Sequence, residues 1–369
     1  MSPMHSIRLG TATLGAVAIA VGLLAGPAQA RPEPAPASAP ARSDAVTQIT
    51  DRIAGQLAGE FAADAAKAGL FPTDAEAVNL TRAPAATPLG RTVREANRAV
   101  LTAKGLPQDG TGLLTIRLAD ASMVDALRNG VAPLVASSPS DDEATSVTAY
   151  ERGGHRVLLA ADTLPQRPVY LVEIDSTTAL AKGTEVLNSV FAQRGITAAA
   201  PAASTTSGYW ATKITSIRLN DDMEPWFKGG AEIFALVGGF GLDGKVAIES
   251  VQLPYLDNDG TTYYPNQLLV HFSAYKYNLA DVVMMEEDSG TNYRDLAIAI
   301  STALLTIVDG GVYIPLVNAI LNAIPNDWWV DDPDYVDSWY TLATYTSGTL
   351  NGAAANGRMA VVPYWVAPL

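Results

Sequence analysis

The chain has 369 residues, no cysteine, and 38 acidic against 24 basic side chains, a formal net charge of −14. That balance excludes nucleic acid as a partner, because phosphate binding needs a basic surface. With no disulfide framework available, stability must come from core burial, bound metal, or both. The negative charge is uneven: residues 209–369 hold 19 acidic and 7 basic side chains and account for −12 of the −14. Such a surface also disfavours electrostatic docking to anionic lipid unless bound cations reverse its sign.

Met1 to Arg8 form a short n-region, Thr11 to Gly26 an apolar run, and Ala28-Gln29-Ala30 a small-residue cleavage site. This pattern predicts a signal peptide over residues 1–30, cleaved near Ala30. The apolar run is short for a span, so the expected product is secreted, with no stable membrane anchor. Residues 31–42, rich in Pro and Ala, read as a disordered lead-in.

Residues 43–196 read as an α+β module. Val46, Ile49, Ile53, Leu57 and Phe61 recur at helical spacing behind a Ser43 cap and predict a helix reaching about Gly69. A second helix is expected from Thr92 to Lys104, ended by Gly105 and Pro107. Leu113–Leu118 alternates as a strand, and Ser122–Asn129 reads as a short helix. Val147–Glu151 and His155–Leu159, joined through Gly153-Gly154, read as a hairpin. Pro168–Asp175 is strand-like and Thr178–Gln193 helical. Residues 197–208, small, polar and interrupted by Pro201, read as an interdomain linker.

Residues 209–369 read as an antiparallel β-sandwich carrying a helical hairpin. Strand-like runs follow at short intervals: Trp210–Leu219, Ala231–Phe240, Lys245–Leu253, Gln267–Ser273 and Leu279–Glu286. The hairpin is expected over 294–324, as apolar arms Leu296–Val308 and Val312–Ile324 around Asp309-Gly310-Gly311. Each arm is shorter than the ~20 residues a bilayer span needs.

Acidic, oxygen-rich clusters interrupt these runs: Asn220-Asp221-Asp222-Met223-Glu224, Asp257-Asn258-Asp259-Gly260, Glu286-Glu287-Asp288-Ser289-Gly290-Thr291-Asn292, and a fourth over residues 331–337. Crowded carboxylates repel one another unless solvent or a hard cation screens them, and calcium takes six to eight such oxygens. Sandwich loops gather at two ends. The first and third clusters, meeting at one pole, would fill such a shell. Asp221, Asp222, Glu224, Asp257, Asp259, Glu286, Glu287, Asp288 and Asn292 are the candidate calcium ligands. Each cluster taken alone reads first as a solvated turn; only together, and with the local charge imbalance, does the calcium reading draw level.

His155 and His271 are the two histidines beyond the leader, each without a second histidine or a cysteine nearby in sequence. No H-E-x-x-H, G-x-S-x-G or P-loop motif occurs. The reading is therefore a non-enzymatic protein in a binding or envelope role, with an unknown extracellular partner. Two alternatives remain open: an exported hydrolase using loop carboxylates, and a membrane-active protein deploying residues 294–324.

Lys213–Trp226, Gly229–Phe234, Leu253–Tyr263, Pro265–Gln267, Glu287-Asp288 with Thr291–Tyr293, and Asp334–Ser338 together resemble an exported bacterial family catalogued as domain of unknown function 3103. The resemblance covers about residues 209–365 and implies no activity. More distantly, Asp221–Trp226 and Glu286–Asn292 are similar to the first and third acidic loops of C2 domains, calcium-binding sandwiches. A helical hairpin is foreign to that fold, and its cationic lipid-binding strand has no counterpart here. The likeness therefore implies calcium as a structural ion rather than a membrane bridge.

Overall fold

A computed structural model describes residues 45–74, 76–139, 144–197, 208–221, 226–228, 231–287, 290–324 and 335–368. The predicted signal peptide, lead-in, most of the linker, and Trp328-Trp329 lie outside these residues.

The first helix, α1 (Ala45–Ala58), buries Val46, Ile49, Ile53 and Leu57, the face that their spacing predicts. It stops well short of Gly69. The Ala58 carbonyl accepts from Gly153 N at 2.8 Å, so the glycine turn of a distant hairpin diverts the helical ladder, and the chain resumes as α2 (Ala62–Lys67). After β1 (Val78–Asn79) comes α3 (Pro88–Ala103), which starts four residues before the predicted Thr92. Thr87 caps it by accepting from Gly90 N, and Pro88 occupies the first helical position, where its missing N–H costs nothing.

Six further strands and helices precede the last helix of this half: β2 (Leu114–Leu118), α4 (Val124–Arg128), β3 (Leu134–Ser137), β4 (Ser146–Tyr150), β5 (Arg156–Ala160) and β6 (Val169–Ile174). That last helix, α5 (Ser176–Gln193), is capped by Asp175. The sheet order is β1-β2-β6-β3-β4-β5, antiparallel except for the parallel β3–β6 pair.

The second half begins with β7 (Tyr209–Leu219), β8 (Ile233–Phe240), β9 (Val246–Gln252), β10 (Gln267–His271) and β11 (Leu279–Glu286). Then come α6 (Tyr293–Leu304), α7 (Val317–Ala323), β12 (Tyr335–Ala343), β13 (Gly348–Asn351) and β14 (Gly357–Val366). Two antiparallel four-stranded sheets result, an outer β10-β7-β14-β13 and an inner β12-β11-β8-β9. The architecture is therefore the expected α+β combination with a C-terminal sandwich.

Every residue of β8 is buried. Ile233, Ala235 and Val237 face the outer sheet, whereas Phe234, Leu236 and Phe240 join a core shared with the first half. A strand covered on both faces reads as continuously apolar, as this one does. The shared core runs without a break from α1, α3 and the first sheet to α5, α6 and α7, and the described residues of the two halves form one compact unit.

The apolar hairpin forms as α6 packed against α7, but both arms are cut short. Pro315 disfavours helical geometry in the residue before it. Asp281, buried in β11, draws in the segment between the helices: its carboxylate accepts Leu316 N at 2.6 Å, the Tyr313 hydroxyl at 2.9 Å and Thr341 N at 2.7 Å. Val308 and Val312 on that segment are 78% and 65% exposed. Among the described residues, no helix is long and apolar enough to cross a membrane.

Lys104 at the end of α3 reaches across to Glu287 at 2.6 Å, both side chains almost fully buried. Asn292 ties the same place, donating to Ala103 O at 2.7 Å, and Tyr293 N donates to Lys104 O. Removing one partner of such a pair leaves a buried charge uncompensated and costs about 3–5 kcal/mol, whereas apolar replacement of both costs much less. We expect Lys104→Met to lower the denaturation midpoint strongly and Lys104→Met/Glu287→Leu to recover most of the loss. Additive losses in the urea-unfolding cycle would refute the coupling.

Candidate functional site

One pole of the sandwich is organised around a buried carboxylate. Asp337, two residues into β12, has no exposed surface. Its Oδ1 accepts Ser338 N at 2.7 Å and Ala354 N at 2.8 Å, and its Oδ2 accepts Asn356 N at 3.0 Å and Gly357 N at 2.6 Å. These bonds hold the turn that closes the antiparallel β13–β14 hairpin. The approach is so close that a Cβ on Gly352 would lie 2.0 Å from Asp337 Oδ2, so only glycine fits.

The fixed turn then clasps the end of β7. Asn220 N donates to Asn356 O at 2.9 Å, Asp221 N to Asn356 Oδ1 at 3.0 Å, and Asn356 Nδ2 to Asp221 O at 2.9 Å. The 257–260 loop closes the opposite side, where Gly260 N donates to Leu219 O at 2.9 Å. Asp257 braces that loop internally, accepting from the Tyr263 hydroxyl at 2.7 Å and from Asn258 Nδ2. Beside the β13–β14 turn lies a cleft of about 270 Å³ lined by Arg218, Asn220, Asn351, Ala355, Gly357 and Arg358.

The first and second acidic clusters thus meet at this pole, with the fourth beneath it through Asp337. The third is directed elsewhere. Glu286 and Glu287 are buried, Glu287 against Lys104. Asn292 has both ends of its amide engaged, with Oδ1 capping α6 through Asp295 N and Nδ2 on Ala103 O. Asp221, Asp257 and Asp259 are exposed. Asp222, Glu224 and Asp288 lie outside the described residues, and among those described no group of three or more His, Asp or Glu side chains is placed to hold a metal ion.

Sequence reading missed the cleft arginines. Arg218 and Arg358 are two of only seven cations in this half, and both fall at strand positions where alternation points them away from the core; that pairing was the available signal. It also missed two sets of titrating groups. Arg117 pairs with Glu173 at 2.7 Å and donates to Lys228 O at 2.7 Å, joining the first sheet to the segment before β8. Burial lifts the Glu173 carboxyl to about 7 against the opposing pull of Arg117. Burial also raises nearby Glu232, whose Oε1 accepts from the Thr177 hydroxyl. At the sandwich edge burial lifts Glu249 to about 7 and lowers His271, whose Nδ1 meets the Tyr209 hydroxyl at 3.1 Å.

The model of the family described as a protein of unknown function, DUF3103, matches residues 65–369. The chain belongs to that family. The match takes in most of the α+β half as well as the whole sandwich, so the DUF3103 region includes both sides of the Lys104–Glu287 junction. No curated protein and no solved structure matches the chain.

Glu173 and Glu249 have a pH consequence. A carboxyl whose folded pKa lies above its unfolded value binds more protons when folded, so its contribution to stability declines as pH rises from about 4.5 to about 7 and is constant above that. Glu249→Gln removes one such group. We expect its melting temperature to depend less steeply on pH between 5 and 7 than that of the unsubstituted protein; identical slopes would assign the titration elsewhere.

Proposed function

We propose that the protein is exported and non-enzymatic, and that the pole built on Asp337 is its ligand-binding end. The observation that carries this reading is the cleft itself, lined in part by a turn that backbone hydrogen bonds pin. Pre-formed concavity with a few convergent polar groups is the usual form of a binding site. Its floor supplies guanidinium and carboxamide groups, which orient a ligand by hydrogen bonding. A guanidinium stays protonated at any physiological pH, and a carboxamide does not titrate, so neither suits general acid–base work.

In the same reading calcium steadies this pole. Its donors are Asp221, Asp222 and Glu224 from one loop with Asp257 and Asp259 from the other, completed by carbonyls and water. Glu286 is left out of this set because it is buried, and Glu287 and Asn292 because the first half of the chain engages them. The proximity of the two loops, joined through Gly260 and Leu219, supports the proposal.

Thermal unfolding of the mature chain in chelator and in millimolar calcium tests it. An ion at a hundred times its dissociation constant stabilises by about 2.7 kcal/mol, a shift of several degrees for a protein of this size. We expect that rise with calcium, a smaller one with magnesium, and its loss in Asp221→Asn/Asp222→Asn. No calcium shift would make the acidic loops solvated turns and leave the cleft as the binding feature.

A further inference from the structure

Arg358 of β14 stands directly opposite Arg218 of β7, and Asn351 of β13 stands directly opposite Arg358. Their strand neighbours Ile217, Leu219 and Met359 point into the sandwich core, so these three side chains emerge together on the outward face. They form a row across three adjacent strands, roughly 10 Å from end to end at sheet spacing. Asn220, two residues beyond Arg218, lines the same cleft. Gly260 closes the row at one side, so near that a Cβ there would lie 3.2 Å from Arg218 Nη2.

Like charges directly opposite one another destabilise a sheet. Here the arrangement lacks the usual compensation. Neither guanidinium is hydrogen-bonded or ion-paired to another described residue, and Arg218 Nε is shielded from solvent with no acceptor. Carboxylates are plentiful in this half, and Asp221, Asp257 and Asp259 sit on the adjoining loops. None of the three pairs with either arginine. A shielded cationic donor without a partner points to an ion or group that completes it.

We propose that the Arg218–Arg358–Asn351 row binds an oxyanion group, carboxylate, sulfate or phosphate, carried by an otherwise neutral polar ligand. The guanidinium fork matches such a group in a two-point fashion, and the Asn220 and Asn351 amides can donate to its remaining oxygens. An anion seated between the arginines also removes their mutual repulsion. The carboxylates at the rim accept hydroxyl hydrogen bonds but repel further negative charge, which selects against polyanions and for a single acidic group on a hydroxylated body. The inference rests on the binding reading for the role of the pole and is independent of calcium.

The test is thermal unfolding and calorimetric titration of the mature chain with sodium phosphate, sodium sulfate and sodium glucuronate. Chelator is present, and chloride is adjusted to hold ionic strength constant. We expect at least one of the three anions to bind, and Arg218→Gln and Arg358→Gln each to weaken that binding about ten-fold or more. Ligand-free Arg358→Gln should melt above the unsubstituted protein because the facing charge is gone, which also certifies that it folds. Stronger response to phosphate or sulfate assigns a tetrahedral oxyanion, and stronger response to glucuronate assigns a carboxylate. No response of the unsubstituted protein to any of the three, or variants that bind as tightly as it does, overturns the proposal. Absence of an anion response in the unsubstituted protein, with calcium stabilisation present in the separate calcium experiment, overturns the anion site alone, and absence of both overturns the pole as a binding end.

Discussion

The inner sheet of the sandwich is covered on both faces, and that constraint shapes most of what the second half does. β8 and β11 have core on one side from the outer sheet and on the other from the first half with α5 to α7. Neither strand has a solvent-facing side on which to place charge. Polar residues along β11 must therefore be satisfied internally or sit at strand ends. Asp281, Glu286 and Glu287 on or beside this strand, and Asp337 on its neighbour β12, are all buried.

This explains why an acidic half with few cations is not simply a field of metal ligands. Asp281 gathers two backbone N–H groups and a tyrosine hydroxyl, and Asp337 gathers four backbone N–H groups. Backbone donors satisfy a carboxylate without adding any positive side chain, so the formal balance of −12 overstates the free negative charge of the surface. Glu287 takes its cation from the first half instead, through Lys104. The same ion pair ties the two halves together: Lys104 directly follows α3, Glu287 directly follows β11, and both side chains are buried where they meet.

Secondary structure in this chain was legible wherever one face alone is buried or a hairpin is local. The α1 face, the β4–β5 hairpin, β6, α5 and the sandwich strands from β7 to β11 fall where spacing and alternation put them. The errors share a cause in long-range hydrogen bonding. The Gly153 turn ends α1 from about a hundred residues away, and Asp281 unwinds the start of the second apolar arm. β3, short and fully buried, and β12 to β14, reached after the apolar helices, carry too little alternation of their own to be read locally. The acidic clusters were expected to meet as the first and third; instead the 257–260 loop lies beside the end of β7, and Glu287 is buried against a lysine nearly two hundred positions earlier, a partner that local sequence cannot reveal.

The cleft at that pole follows from the same economy of donors. With the Asp337 carboxylate filled by backbone N–H groups from residues 354–357, the turn is rigid without involving a side-chain cation. Arg358, next along the strand, is consequently not needed to neutralise Asp337 and points the other way, to the outward face beside Arg218. Gly357 donates inward to the buried acid, and Arg358, the next residue, stands on the outward face beside Arg218. Alternation alone would allow a polar, uncharged residue at position 358, which would spare the sheet a repulsive pair. The retention of charge at both facing positions, in the half of the chain poorest in cations, is the feature that structural needs do not explain and that an anionic ligand does.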